Sequence, residues 1–281
     1  MAAVGPPPIL PLGDRTCFAW SMFTLALAQI RVEQGRMAEN LKRAEVRIAE
    51  AAATGAEVVL LPETLDVGWL SAGAKGPGTI PAGMPCRRLA AAARRHRVFV
   101  AAGLTERAGG RSYNAAVLLD PRGELLLHHR KINELAEGRT TYGLGDRLAV
   151  ADTRLGRLGL MICADAFAPG QVISRSLGMM GAQVILSPCA WAMPANHDNE
   201  KVPYGWLWQE NYGPVARDFG LWIAGCSNVG RITSGAWAGR ECIGNSLVVS
   251  PAGEPVLRGP YGVDAEALLR IVVKPVPPRG G

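Results

Sequence analysis

Three residues that could act as a nucleophile, a base and a fixed cation each follow an apolar run in this chain. Cys163 comes after Leu-Met-Ile, Glu63 after Val-Val-Leu-Leu-Pro, and Lys131 after Leu-Leu-Leu-His-His-Arg. A thiol is mostly protonated at neutral pH, so a nucleophilic cysteine needs a nearby base or positive charge. We expect Glu63 to take the thiol proton and later return it to a leaving nitrogen. Lys131 would then supply positive charge where an oxyanion develops.

Each of these residues also has a plain structural interpretation. A lone cysteine after a strand is often a buried core residue, and a glutamate or lysine at a strand end is usually solvated. The three together favour a site, because the carboxyl ends of strands in an α/β sheet line one crevice. Histidine is the more usual base, but the four histidines lie in a helix, a strand and a loop with no obvious route to Cys163: His96, His128, His129 and His197.

The elements that must carry these residues alternate along the chain. Met37, Leu41, Ala44, Ile48 and Ala51 recur at steps of three and four, which predicts one apolar helical face. The patterns predict helices over 37–51, 90–97, 171–180 and 206–219, and strands over 23–30, 58–61, 98–103, 113–119, 124–129, 158–162, 184–187, 221–226, 246–250 and 268–273. Helices that alternate with strands and hairpins indicate an α/β fold, a mixed sheet with helices outside.

Length and charge exclude several classes of protein. The 281 residues contain no Ser/Gly-rich linker, so we expect a flexible Pro-rich arm over 1–21, one domain over 22–273 and a tail over 274–281. The net charge is +6, but the basic residues are scattered rather than gathered on one stripe. This distribution is typical of a solvated surface and argues against a nucleic-acid partner.

The cysteine and histidine spacing predicts a protein without a metal. The six cysteines form no Cys-x-x-Cys pair, and no histidine has metal-ligand spacing beside a cysteine. We therefore expect free thiols, a reducing cytoplasmic compartment and no cofactor. The apolar residues 16–30 lack a basic leader and end too early for a membrane span, so we predict a first core strand and no membrane association.

The order and spacing of these blocks resemble the nitrilase superfamily of carbon-nitrogen hydrolases over residues 22–273. The three main blocks are Leu60-Leu-Pro-Glu63, His129-Arg-Lys131 and Gly159-Leu-Met-Ile-Cys163-Ala-Asp165, and further matches are Tyr113-Asn114, Ser187-Pro188 with Trp191, Asn228-Val-Gly230 and Gly244-Asn-Ser246. The resemblance implies a four-layer α-β-β-α sandwich that forms a homodimer or a higher homo-oligomer.

The resemblance also implies roles for single residues. Glu63 would be the general base, Lys131 the oxyanion-stabilising cation and Cys163 the nucleophile, with the backbone N–H of Ala164 as a second oxyanion donor. A second glutamate would stand in the loop after the lysine. Glu137 fits its spacing to Gly145-Asp146 with one residue inserted, and Glu134 is the alternative. Trp191 would line the substrate pocket.

The implied activity is the hydrolysis of a small, linear, non-peptide amide through a cysteine thioester. Nitrile-cleaving members usually have tryptophan and glutamate after the cysteine, whereas this chain has Ala164 and Asp165. That difference favours amides or carbamoyl compounds over nitriles. A nitrilase, an N-carbamoyl hydrolase and a catalytically silent binding protein on the same scaffold remain the alternatives.

Overall fold

Two main sheets organise the part of the chain that the computed structural model describes, residues 21–71 and 78–277. The first sheet has the order β16-β1-β2-β3-β4-β5, with β6 paired to β4. Its strands are β1 (Phe23–Gln29), β2 (Val58–Leu60), β3 (Phe99–Ala108), β4 (Arg111–Leu119), β5 (Leu125–Arg130), β6 (Tyr142–Gly143) and β16 (Ala267–Val273). The arm predicted over 1–21 lies outside the described residues except for Ser21, and of the predicted tail only 274–277 are described.

The second sheet has the order β15-β14-β11-β9-β8-β7, and a small third sheet has the order β10-β13-β12. The second sheet contains β7 (Val150–Thr153), β8 (Gly156–Leu160), β9 (Val184–Cys189), β11 (Trp222–Ser227), β14 (Leu247–Val249) and β15 (Pro255–Arg258). The third contains β10 (Ala192–Pro194), β12 (Val229–Arg231) and β13 (Arg240–Ile243). Both main sheets mix parallel and antiparallel pairs, as the alternating pattern predicts.

Alternate residues of the first sheet enter two different cores. Leu25 and Leu27 on β1 belong to the core between the two sheets, where they join residues such as Ile185 of β9. Ala26 and Ala28 face the other way, into the core under the first pair of helices. A strand that is buried on both faces has a continuous apolar sequence. For this reason polar and apolar residues do not alternate along β1, β2 and β3.

Four helices cover the outer faces: α1 (Met37–Ala53), α2 (Met84–His96), α3 (Val172–Met179) and α4 (Trp206–Phe219). Helices α1 and α2 pack on each other and on the first sheet, and α3 and α4 pack on each other, with α4 against β11 and β14 of the second sheet. The predicted four-layer α-β-β-α order is therefore confirmed, as is α4 to the residue. Helix α2 begins six residues earlier than predicted, because Gly83 is extended at its N-cap and Pro85 occupies its first turn.

Candidate active site

Residues that follow the carboxyl ends of three strands, β2, β5 and β8, line one cavity. Strand β2 runs parallel to β3, and two successive antiparallel pairings turn β5 in the same direction as β2. Glu63 lies three residues after β2, Lys131 directly after β5, and Cys163 three residues after β8. All three residues line one cavity of about 350 Å³. The structure thus brings together the three residues that the sequence pattern selected.

Cys163 is the first residue of a short 3₁₀ helix, Cys163–Phe167, which follows β8 at a sharp turn of the chain. Its φ is 44°, in the left-handed region that a residue with a Cβ adopts at a cost of about 1–3 kcal/mol. The surrounding contacts hold this conformation: the Cys163 backbone N–H donates to Ser187 Oγ at 3.2 Å, and the side chain is buried. Strain that the fold maintains at one cysteine is typical of a functional turn.

Asp165 ties this turn to the loop that carries Lys131. Its carboxylate accepts hydrogen bonds from the backbone N–H of Ile162 (2.9 Å), Ile132 (3.0 Å) and Asn133 (2.8 Å). The fully buried carboxylate also pairs with His129 Nε2 at 2.7 Å. Burial alone would raise the pKa of Asp165, but the bonds from His129 and the backbone outweigh it and lower that pKa. An anion with four donors therefore joins the turn at Cys163 to the loop that carries Lys131.

Lys131 is enclosed by two carboxylates. Its Nζ donates to Glu63 Oε1 at 2.8 Å and to Glu134 Oε1 at 3.1 Å. Asn114 Nδ2, on β4, donates to the same two glutamates, at 2.6 Å to Glu63 Oε1 and 3.1 Å to Glu134 Oε2. All four side chains are buried. Charge-assisted hydrogen bonds in such a water-poor site are strong and fix the position of each group.

The burial and the charges of this cluster determine its protonation. Burial would lower the pKa of Lys131, but the attraction of Glu63 and Glu134 outweighs it and holds that pKa well above its usual range. Burial raises the pKa of Glu134, and the charge of Glu63 adds to the effect. Burial also raises the pKa of the Cys163 thiol, as do a hydrogen bond with Cys189 and the negative charge of Glu63. Lys131 is thus a permanent cation, whereas Cys163 rests as a neutral thiol that needs a base.

A close backbone approach places Glu63 in the cluster. The Glu63 N–H donates to the Cys189 carbonyl at 3.1 Å, which links the first sheet to the second. Gly103 on β3 lies directly against this segment, and a Cβ there would stand 2.5 Å from Glu63 Cα. Any larger residue at position 103 would displace the acid, so glycine is required at that point.

Aromatic side chains form most of the remaining cavity wall. They are Trp69, Phe167, Trp191, Tyr204, Trp208 and Trp237. Trp191 is 2% exposed and stacks on Trp208 with ring centroids 4.5 Å apart. The structure places Trp191 in the cavity wall. Ala164 follows Cys163, fully buried, and its carbonyl accepts a hydrogen bond from Asn133 Nδ2 at 2.7 Å.

Comparison with known proteins agrees with this geometry. A family model described as carbon-nitrogen hydrolase matches residues 24–266. The chain belongs to the carbon-nitrogen hydrolase family. It is 30% identical to a nitrilase of Pyrococcus abyssi over 238 residues, 83% of each chain, and 32% identical to an (R)-stereoselective amidase of a Pseudomonas species over 163 residues, 58% of each chain. An amidase of Nesterenkonia has the same fold, with a TM-score of 0.75 over 90% of each chain at 23% identity.

Of the two glutamates considered in the loop after β5, the structure brings Glu134 rather than Glu137 to Lys131. Spacing favoured Glu137, but Glu134 is the residue that contacts Lys131 and Asn114. The chain turns back directly after β5, so the residue three positions after the lysine returns to it. Glu137 instead stands half-buried in the cavity wall, where a hydrogen bond from Trp237 helps to lower its pKa.

Sequence reasoning missed the contacts that two further residues, Asn114 and His129, make in the site. Asn114 was matched to a family block, yet its bridge between both glutamates was not anticipated; an amide directly before the apolar run Ala-Ala-Val-Leu-Leu was the available signal. His129 was set aside as having no route to Cys163, and the structure places it on Asp165, two residues after Cys163. It acts on the turn through Asp165.

Two further findings concern metal binding and membrane crossing by the described residues. Across 21–71 and 78–277, no three His, Cys, Asp or Glu side chains are grouped so that they could hold a metal ion. No helix in that part of the chain is long and apolar enough to cross a membrane.

Proposed function

We propose that this carbon-nitrogen hydrolase is an amidase: it cleaves the C–N bond of a small, non-peptide amide through a thioester on Cys163. The observation that carries the proposal is the buried Lys131 with its ion pairs to Glu63 and Glu134, in the same cavity as a thiol held in a left-handed turn. A silent binding protein would have no use for a buried cluster with two carboxylates and one ammonium, because burying such charges is costly.

The chemistry follows from the order of the groups. Glu63 takes the proton of Cys163, whose thiol is neutral at rest, as Sγ attacks the carbonyl carbon of the amide. The carbonyl oxygen becomes an oxyanion, which the Lys131 ammonium and the Ala164 N–H stabilise. Glu63 then gives its proton to the leaving nitrogen, the C–N bond breaks, and ammonia or an amine departs. A thioester remains on Cys163.

The second half of the reaction uses the same groups. Glu63 removes a proton from a water molecule, which attacks the thioester carbonyl, and the oxyanion forms again between Lys131 and Ala164. Collapse of this intermediate breaks the C–S bond, releases the carboxylic acid and returns the proton to Cys163. Glu134 and Asn114 take no proton in this scheme; they hold Lys131 and Glu63 in place.

Relatives support amides without excluding nitriles. A cysteine-to-alanine mutant of the Nesterenkonia amidase is in complex with butyramide, and acrylamide adds to the active-site cysteine of a glutamate-to-glutamine mutant. The similarity to a Pyrococcus nitrilase favours nitriles as a second candidate class. We also propose that the protein forms a homodimer, as the family resemblance implies.

An ammonia-release screen tests the proposal. The purified protein should release ammonia from aliphatic or aryl amides faster than from the matching nitriles, and a Cys163→Ala variant should release none. Faster release from nitriles would make the protein a nitrilase, release only from N-carbamoyl amino acids would make it a carbamoylase, and release from none would support a silent binder.

A further inference from the structure

The wall of the active-site cavity carries more aromatic surface than a small aliphatic amide can use. One aromatic group is formed by Phe167, Trp191, Tyr204 and Trp208. Within it, Phe167 lies 5.5 Å from Trp208 and Tyr204 lies 6.2 Å from Trp191, measured between ring centroids. The Trp208 Nε1–H donates to Tyr204 Oη at 2.7 Å, which fixes the two rings relative to each other.

A second aromatic pair comes from other loops of the chain. Trp69 and Trp237 meet edge to face with centroids 4.7 Å apart. Trp69 also stands beside the catalytic cation, since Lys131 Nζ lies 5.9 Å from its ring centroid. Aromatic rings prefer offset or edge-to-face neighbours at such spacings, and a ligand ring gains the same contacts.

The cavity has the volume for a ring. It holds about 350 Å³, and an apolar protein cavity of about 150 Å³ already binds benzene. A four-carbon aliphatic acyl group would leave much of this space unfilled. An acyl group with a phenyl ring one or two carbons from the carbonyl would place the ring among the indoles.

The charges of the same cavity disfavour an acidic substrate. Its charged lining residues are Glu63, Lys131 and Glu137, and the described lining includes no arginine or histidine. Lys131 already faces two carboxylates, at 2.8 and 3.1 Å. Glu137 is held as an anion by its hydrogen bonds. Arg240 lies over the Trp237 ring, 4.4 Å from its centroid, and is not part of the lining.

We infer that the substrate is an uncharged amide with an aromatic ring in its acyl group, an arylalkyl amide. The inference rests on the proposed amidase function and narrows it. A carboxylate on the acyl group would meet Glu137, and the described lining offers it no cation besides Lys131, so N-carbamoyl amino acids and monoamides of dicarboxylic acids are disfavoured.

Matched substrates test the inference in the wild-type protein. We expect kcat/KM for 3-phenylpropionamide to exceed that for butyramide at least tenfold, because burying a phenyl ring contributes about 1.5–3 kcal/mol. Phenylacetamide should likewise exceed its 4-carboxy derivative at least tenfold. Equal values within either pair would overturn the inference and leave the amidase proposal standing.

Two variants and one binding measurement complete the test. Trp237→Ala should lower kcat/KM for 3-phenylpropionamide at least fivefold more than it lowers kcat/KM for butyramide. The matched control is Trp206→Ala, because Trp206 is 61% exposed and lies outside the cavity; it should change neither. Equal losses for both substrates in Trp237→Ala would count against the ring-binding role.

Binding to Cys163→Ala separates this inference from the amidase proposal. Calorimetry with that variant should give a Kd for 3-phenylpropionamide at least tenfold below that for butyramide, whether or not the wild type turns either over. Tight binding of the aromatic amide without any ammonia release from the wild type would refute the amidase proposal and support the aromatic pocket. Ammonia release by the wild type, with equal Kd values of Cys163→Ala for the two amides, would refute the aromatic pocket and leave the amidase proposal standing.

Discussion

Lys131→Met separates a catalytic cation from a structural one. Methionine keeps a similar length and apolar bulk but deletes the charge. If Lys131 stabilises the oxyanion, its contribution is made mainly in the transition state, so kcat should fall much more than KM rises. Loss of one oxyanion donor typically lowers the rate by about 10²–10³, or about 3–4 kcal/mol in activation free energy. Lys131 is also a full charge that is 1% exposed, so we expect at least this loss.

The variant leaves two carboxylates without their cation, so its stability needs a control. Breaking a buried ion pair costs about 3–5 kcal/mol of unfolding free energy. Glu134 already has a raised pKa, and uptake of a proton there would reduce that cost. The double variant Lys131→Met/Glu134→Gln removes one negative charge and keeps an acceptor for Asn114. It should unfold at a higher temperature than Lys131→Met and be equally inactive.

Steady-state ammonia release with 3-phenylpropionamide and butyramide gives kcat and KM for each variant, and near-UV circular dichroism checks that the fold is kept. Lys131→Arg should not restore the rate, because a planar guanidinium cannot replace a compact ammonium between Glu63 and Glu134. Retention of about half of the wild-type kcat by a folded Lys131→Met protein would refute the role of Lys131.

Three further predictions follow from other contacts. Iodoacetamide should modify Cys163 before the other described cysteines, because Cys163 is the described cysteine that lines the cavity, where Glu63 can take its proton as it reacts; equal labelling of all thiols in native protein, read by peptide mapping, would count against a preorganised site. Asp165→Asn should lower kcat at least tenfold and lower the melting temperature, since it removes the charge that joins the two loops; an unchanged kcat with a lower melting temperature would make Asp165 structural only. Burial works to raise the pKa of Glu106, but hydrogen bonds from Arg130 and His128 lower it to about 2. Its depressed pKa adds stability that is present above about pH 4.5 and is lost as the pH falls towards 2. The free energy of unfolding in urea should therefore be about 3 kcal/mol higher for the wild type than for Glu106→Gln at pH 7, and the two values should converge near pH 2; a difference that does not change with pH would contradict this.

The sequence predicted the layers of the fold because its apolar runs are long and regular. Strand β1 and helix α4 were predicted within one residue of their observed ends, since β1 is apolar on both faces and α4 ends at Gly220 in a left-handed turn. Short edge strands such as β7 and β15 were missed. The residues of β7 are mostly half-buried and those of β15 are mostly exposed, so both strands lack the apolar run that marks a buried strand.

The site was predictable to the extent that strand ends meet at one edge of a sheet. That rule predicts from the sequence alone that Glu63, Lys131 and Cys163 lie together. The rule does not reach the loop after Lys131, where the local turn decides that Glu134, and not Glu137, returns to the ammonium. Nor does it show that His129 supports the cysteine turn through Asp165, because that contact joins residues 36 positions apart.

The most direct test of the central claim is the mass of the protein during turnover of a slow amide substrate. Intact-mass spectrometry after rapid acid quench should show the wild type carrying one acyl group, and peptide mapping should place it on Cys163. The adduct should be lost on treatment with hydroxylamine, as expected for a thioester, and should be absent in Cys163→Ala. An acyl group on Cys189 or Cys226, or steady ammonia release with no adduct on any cysteine, would contradict the account.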